Sequence, residues 1–262
     1  MRTTSRDGRR IAVETVGEGN PLVLLHGTYG DRSTWRSGGH VEALAAHHEL
    51  ILIDLRGHGE SDAPHDPESY QIDRQVDDVI AVLDALEIDR ADLWGASLGG
   101  TIGLHLLAHH PHRLTRLIAG GAHADRVIAD PDDVTEEAES LRIRGTAPII
   151  ALLERRGALP AWLRASIQAA DQHALAALTI GLAERDGILD LLAWTSVPVL
   201  LLAGDRDPRL PLIRRTADRI RGATLVELPG CGHLDAFLRT DLTLPVVRPF
   251  LAADPAPAVR PH

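Results

Sequence analysis

The sequence predicts an α/β protein: a mostly parallel sheet with helices on both faces and a helical insertion late in the chain. Three observations carry this. Short apolar runs bounded by turn residues alternate with stretches whose apolar residues recur at helical spacing, the pattern of repeated strand–helix–strand units. The runs are continuously apolar, as expected of strands covered on both faces. The polar and glycine-rich stretches follow these runs, which places functional groups at the carboxyl ends of the strands, where open α/β sheets hold their ligands.

In chain order, residues 2–5 and 11–16, separated by Asp7-Gly8, read as an opening hairpin. Pro21 to Leu25 is a buried strand ending at His26-Gly27-Thr28-Tyr29-Gly30. A helix is expected from Ser33 to His47, with Trp35, Val41, Leu44 and Ala45 forming its apolar stripe. Glu49 to Asp54 is the next strand, closed by Leu55-Arg56-Gly57-His58-Gly59-Glu60-Ser61-Asp62. A helix from Ile72 to Leu86 follows, with Val76, Val79, Ile80, Leu83 and Leu86 on one face. The strand Ala91 to Gly95 runs straight into a helix from Leu98 to His109, and Leu114 to Ala119 is a further strand. Alternation then stops: Asp125 to Leu192 shows only helical patterns, broken at Pro131, Gly145, Gly157, Pro160 and Gly187. It resumes with the strand Val197 to Ala203, ending in Gly204-Asp205-Arg206-Asp207-Pro208. A helix from Leu212 to Ile220, a strand from Thr224 to Leu228 ending at Pro229-Gly230-Cys231-Gly232-His233, and a helix from Asp241 to Leu251 complete the set. Residues 1–124 and 193–262 therefore read as one core, 125–192 as a lid over its functional edge, and the proline-containing tail from Ala252 to His262 as frayed.

Composition narrows the class. With 27 basic against 37 acidic residues the chain carries a net −10 and no basic stripe, which argues against nucleic acid as a partner. The N-terminal residues show no apolar signal core, and the longest plain apolar run, Val199 to Ala203, is too short to span a bilayer, so neither export nor membrane insertion is expected. A single cysteine, Cys231, excludes an intramolecular disulfide and suits a cytoplasmic setting. It reads as a small buried residue, and Trp35 and Trp94 as core.

Chemistry centres on Gly95-Ala96-Ser97-Leu98-Gly99. A G-x-S-x-G pattern in a strand-to-helix turn pushes the serine side chain out of the sheet edge, and the glycines remove side chains that would collide there. The following helix turns its free N–H groups toward the site, which favours negative charge. Taken alone, Ser97 fits an ordinary turn serine; a base and an acid elsewhere change that reading. His233 stands in a glycine-flanked loop at the end of the last strand. Asp205 and Asp207 both follow the preceding strand; Asp207, beyond the turn, is favoured, Asp205 is read as bracing the turn, and Asp125 is a weaker third option. The order Ser97, Asp207, His233 accompanies a nucleophile elbow. An oxyanion hole needs two backbone N–H groups aimed at one point, for which Leu98 and Thr28 are the candidates.

Together His26-Gly27, Asp54-x-x-Gly57-x-Gly59-x-Ser61-Asp62, the Gly95-to-Gly99 elbow, Gly204-x-x-Asp207 and Gly232-His233 resemble the α/β-hydrolase fold superfamily, over about Arg10 to Leu251. The resemblance implies a mostly parallel, eight-stranded type of sheet, with Ser97 as nucleophile, Asp207 as acid, His233 as base and the N–H groups of Thr28 and Leu98 as oxyanion hole. It implies a hydrolase of carboxylic esters, lactones or related acyl compounds, with no cofactor or metal and a small acyl molecule as partner, as a monomer or homodimer. Members that use an aspartate nucleophile are disfavoured by Ser97. The same scaffold also hosts carbon–carbon bond hydrolases, perhydrolases, cofactor-free oxygenases and ligand-binding receptors.

Other residues are assigned around that centre. His26, Asp54, Arg56, His58 and Asp62 read as braces of loops near the site. His105, His109, His110 and His112 suggest metal ligands, but no carboxylate completes a set, and a surface helix end is preferred. His123, Tyr29 and Trp162 are the candidates to line the substrate site. Arg142, Arg144, Arg155, Arg156 and Arg164 punctuate an otherwise apolar lid, and any of them could turn inward to hold a carboxylate.

Overall fold

The computed structural model describes residues 1–157 and 159–253; the remainder of the tail expected to fray lies outside the described residues. The chain opens with β1 (Arg2–Thr4), β2 (Arg10–Val16) and β3 (Asn20–Leu25), then α1 (Ser33–Ser37), α2 (His40–Leu44) and β4 (His48–Ile53). It continues through α3 (Ile72–Ala85), β5 (Ala91–Ala96), α4 (Leu98–His109) and β6 (Leu114–Gly120). The insertion holds β7 (Val127–Ile128), α5 (Pro131–Arg144), α6 (Ala147–Arg156), α7 (Ala161–Ala169), α8 (Gln172–Gly181), β8 (Glu184–Arg185) and α9 (Leu189–Leu192). The sheet resumes with β9 (Val199–Gly204), α10 (Leu210–Arg219) and β10 (Thr224–Leu228), followed by α11 (Asp235–Leu238) and α12 (Thr240–Ala252).

Eight strands form one sheet in the order β1-β2-β4-β3-β5-β6-β9-β10, antiparallel at β1/β2 and β2/β4 and parallel elsewhere. Successive side chains on a strand face opposite ways, so a strand covered on both sides must be apolar at nearly every position. Leu22 and Leu24 accordingly pack with Leu50, Leu52, Trp94 and Leu200 beneath Trp35, Val41 and Leu44. Val23 and Leu25 belong to the opposite face, with Ile51, Ile53, Leu93, Leu201 and the apolar residues of α3 and α4. The chain leaves β3 to one side to form β4 and crosses back to form β5 on the other. Open α/β sheets bind ligands where connections diverge in this way, and the loops after β3 and β5 stand at that point.

The sequence expectation differs from the structure in three places. The single helix expected from Ser33 to His47 is two, because the chain breaks at Gly38-Gly39, where Gly39 takes φ 82°; the apolar stripe nevertheless stays inward. The insertion is not wholly helical: β7 and β8 pair antiparallel, Val127 with Arg185, and tie its two ends together. Two-residue strands are too short to show a period. A short helix, α11, also follows His233. Among the described residues no helix is long and apolar enough to cross a membrane.

His40 is a buried structural group with a measurable signature. Its ring stacks on Phe237 at 4.8 Å and meets Trp35 and Trp94 edge-on at 4.9 and 5.1 Å. Burial holds its pKa down at about 4 against an ordinary 6.5. Below pH 6.5 the unfolded chain takes up a proton that the folded protein refuses until about pH 4, so stability falls with pH across that window. The full effect is about 3 kcal/mol at 1.36 kcal/mol per pKa unit. His40→Phe, which keeps the ring volume, is expected to lessen the fall in Tm between pH 6.5 and 4.5; an unchanged slope would refute this role.

Candidate active site

Ser97 occupies the turn between β5 and α4 with φ 51° and ψ −108°. This region is costly for a residue with a side chain, and such strain is held only where packing over-determines it. Here the packing is explicit. A Cβ on Gly95 would stand 2.2 Å from the Gly99 carbonyl oxygen, and one on Gly99 would stand 2.3 Å from that of Leu25. Glycine at both positions lets α4 press against β3 and β5, while the Ser97 N–H donates to the Gly120 carbonyl at 2.7 Å.

The structure brings Ser97, Asp207 and His233 together. His233 lies in the loop after β10, its Nδ1 2.7 Å from Asp207 Oδ2 and its Nε2 3.0 Å from Ser97 Oγ. Asp207 is 3% exposed and follows β9; its other oxygen accepts the Arg209 N–H at 2.9 Å. Burial alone would raise its pKa, but the hydrogen bond and charge of His233, with the Arg209 N–H, outweigh that and hold the carboxyl below its usual value. An ionised Asp207 accepts and cannot donate, so Nδ1 carries the ring proton and Nε2 presents its lone pair to the serine. The alternative acids stand elsewhere: Asp125 pairs with Arg215 at 3.0 Å, and Asp205 is exposed, its backbone N–H bonded to Leu228.

The loop after β3 passes directly over the serine, since a Cβ on Gly27 would lie 3.4 Å from that of Ser97. His26 sets its orientation. Burial and the neighbouring His58 push its pKa down to about 3, leaving the ring neutral. Its Nε2 accepts the Leu55 N–H at 3.0 Å, so Nδ1 is the protonated nitrogen and donates to the Gly27 carbonyl at 2.8 Å. That carbonyl shares a planar trans peptide with the Thr28 N–H, which must then point the opposite way. His58 holds the Thr28 carbonyl in turn. Among the described residues neither the Thr28 N–H nor the Leu98 N–H finds a backbone or side-chain acceptor.

The loop braces are as the sequence reading placed them. Buried Asp54 accepts the N–H groups of Arg32 and Glu60 and pairs with the Arg32 guanidinium. Asp62 holds Arg10, and Arg56 is fully enclosed by Asp78, Asp7 and two backbone carbonyls. Tyr29 and Trp162 share a cluster with Ile150, Leu163 and Ile167 where the insertion meets the core. The Trp162 and Phe237 rings stand 6.4 Å apart, and Ser166 Oγ bonds Asp31 at 2.9 Å. His123 is 8% exposed, and its environment, chiefly burial and then Arg185, lowers its pKa to about 4.

One expectation needs correction. His105 is not at a surface helix end: it is 3% exposed with both ring nitrogens lacking a partner, because α4 is covered on nearly every side. Of the insertion arginines considered from sequence, Arg142, Arg144, Arg155 and Arg156 are exposed and Arg164 pairs with Glu154 at 2.9 Å. The residues missed are Arg185, half-buried on β8, and Arg209, whose Nη1 lies 2.5 Å from His233 Nε2. Arg209 was findable in principle, two positions beyond the favoured acid; Arg185 was not, because its inward path depends on the β7/β8 pairing.

A family model of the alpha/beta hydrolase fold matches residues 20–145. Pimeloyl-[acyl-carrier protein] methyl ester esterase of Xanthomonas campestris pv. campestris is 31% identical over 266 residues, covering 93% of this chain and 99% of that protein. The chain belongs to the α/β-hydrolase fold family. Other proteins share parts of this likeness. 2-Hydroxy-6-oxo-2,4-heptadienoate hydrolase of Pseudomonas putida is 39% identical over 108 residues, a match that takes in 41% of this chain and 39% of that protein. The solved enol-lactonase of Burkholderia xenovorans LB400 superposes with a TM-score of 0.85 at 26% identity, covering 97% of this chain and 100% of that one. Hydrolysis is common to these α/β-hydrolase relatives, whereas their substrates differ.

Proposed function

We propose that this α/β-hydrolase cleaves a carboxylic ester, lactone or related acyl bond through an acyl-enzyme on Ser97. The observation that carries the reading is the continuous line from Asp207 through His233 to Ser97, at 2.7 and 3.0 Å, together with the Thr28 and Leu98 N–H groups, which find no partner among the described residues. Asp207 keeps the proton on Nδ1, so Nε2 takes the hydroxyl proton as Oγ attacks the carbonyl carbon. The N–H groups of Thr28 and Leu98 receive the oxyanion, supported by the N-terminal end of α4. Collapse expels the leaving group, which takes the proton from Nε2. Water then repeats the sequence against the acyl-enzyme: His233 removes its proton, the acid leaves, and Ser97 Oγ regains a proton. Residues 125–192 form the lid in this reading, with Tyr29, His123 and Trp162 lining the substrate.

The test is covalent trapping. A fluorophosphonate probe is expected to add one equivalent, located by peptide mass spectrometry to Ser97, and to abolish p-nitrophenyl acetate turnover. Labelling of another residue, or turnover that survives complete labelling, would sink the reading.

The stretch shared with the heptadienoate hydrolase favours one second reading, cleavage of a carbon–carbon bond, since that compound carries no ester to hydrolyse. Loss of absorbance of a 2-hydroxy-6-oxo-dienoate at a kcat/KM above that for any ester would select it.

A further inference from the structure

Arg209 and Arg185 have no acidic partner among the described residues. Arg209 is exposed, and its guanidinium lies against the His233 ring, 2.5 Å from Nε2 and 3.1 Å from Nδ1. Arg185 is the one arginine among the described residues that is not exposed and makes no ion pair; its Nε is buried without any partner. The protein has acids in surplus, 37 against 27 basic residues, and pairs its other enclosed guanidiniums, Arg56 with Asp78 and Arg116 with Asp92. Leaving Arg185 single is therefore a property of this place and not of the composition. Burial and the nearby charge of Arg209 push the Arg185 guanidinium below its ordinary range. His123, with Nδ1 also buried and without a partner, stands within the field of both arginines and of Asp125 and Asp207. Native proteins leave few buried polar atoms single, and each that remains calls for an explanation.

The Arg209 contact bears directly on the chemistry. With Nδ1–H given to Asp207, the lone pair on Nε2 is the sole acceptor on the ring, and Ser97 Oγ–H and Arg209 Nη1–H both lie in reach of it. A guanidinium there competes with the serine for the base. It also opposes the positive charge the ring acquires on taking the serine proton, because like charges disfavour each other's charged forms. Tyr29 and Glu137 also stand on this side. Tyr29 feels the charge of Arg209, and Glu137 stands 3.5 Å from the Tyr29 hydroxyl without pairing to Arg209.

Resting on the serine-hydrolase reading, we propose that Arg209 and Arg185 receive a carboxylate of the substrate, so that the enzyme takes acyl compounds bearing an anionic group, and that this carboxylate draws Arg209 off His233 Nε2. A guanidinium fork matches a carboxylate in shape and charge. Binding the anion answers both orphaned cations and frees the lone pair for Ser97. A neutral ester of the same length does neither, leaving Arg209 on the base. The insertion thus selects by charge through β8, and the core selects through the residue two positions after Asp207.

Two measurements test this separately from the hydrolase reading. The first is calorimetric titration of monomethyl glutarate into the Ser97→Ala protein, which needs no turnover. Binding is expected to weaken at least tenfold when Arg209→Gln or Arg185→Gln is added. The second compares kcat/KM for p-nitrophenyl hemiglutarate with that for neutral p-nitrophenyl valerate. The unsubstituted enzyme is expected to favour the anionic ester at least tenfold, chiefly through KM. Arg209→Gln is expected to reverse the order, slowing the anionic ester and speeding the neutral one. Turnover of both esters at equal efficiency, with binding indifferent to either arginine, overturns the anion site and leaves the hydrolase intact. Arginine-dependent binding without turnover of any ester leaves the anion site standing and removes the hydrolase reading.

Discussion

Ser97→Ala is expected to lower kcat for a short p-nitrophenyl ester by on the order of 10⁴-fold or more, with KM changed little. The substitution removes the one oxygen that His233 Nε2 faces at 3.0 Å and leaves Asp207, the Gly27 loop and the N-terminus of α4 in place. The backbone there is strained before and after, because alanine dislikes φ 51° as much as serine does. Tm should therefore shift by no more than a few degrees, separating a chemical loss from a folding loss. Residual hydrolysis would report what positioned N–H groups and binding achieve without a nucleophile. Retention of a tenth or more of the activity would place the chemistry on another residue.

Arg56→Met is expected to destabilise the fold by about 3–5 kcal/mol, the usual consequence of removing one partner from a buried ion pair. Arg56 is fully buried, with Nε and Nη2 each 2.7 Å from Asp78, which is 2% exposed. Burial raises the Asp78 pKa and Arg56 opposes that. Without the guanidinium, Asp78 must either stay charged in an enclosed place or take up a proton, and the carbonyls of Ser69 and Arg74 lose their donor. Urea unfolding measures the loss as a lower midpoint with m unchanged. Activity should fall as well, since residues 54–62 carry His58, which holds the Thr28 carbonyl. A midpoint within experimental error of the unsubstituted protein would show that the cluster contributes nothing to the fold.

Strands β3 and β9 were legible because Pro21 to Leu25 and Val199 to Ala203 are apolar without interruption. Val23, Leu24 and Leu25 leave no polar face for water, and a run of that kind bounded by glycine or proline has one stable place, inside a sheet covered on both sides. The insertion was legible as a loss of alternation, but β7 and β8 were not, since pairing over two residues depends on where α5 to α8 bring the chain ends. The break at Gly38-Gly39 was written in the chain yet masked by the apolar stripe of Trp35, Val41 and Leu44, which continues across it.

For the site, sequence alone determined the elbow serine, the histidine after the last strand and a short list of acids, because strand ends and glycine spacing confine those residues to one edge of a parallel sheet. Tertiary structure decided what distance in sequence conceals. It set Asp207 against His233 while pairing Asp125 with Arg215, and it fixed the Gly27 carbonyl through a proton on His26. It also carried the Arg185 side chain inward while leaving Arg142, Arg144, Arg155 and Arg156 exposed. The physical reason is the range of the forces involved. Backbone periodicity and turn geometry act over a few residues and are written locally, whereas the pairing of a charge is settled by whichever groups the fold brings within about 4 Å.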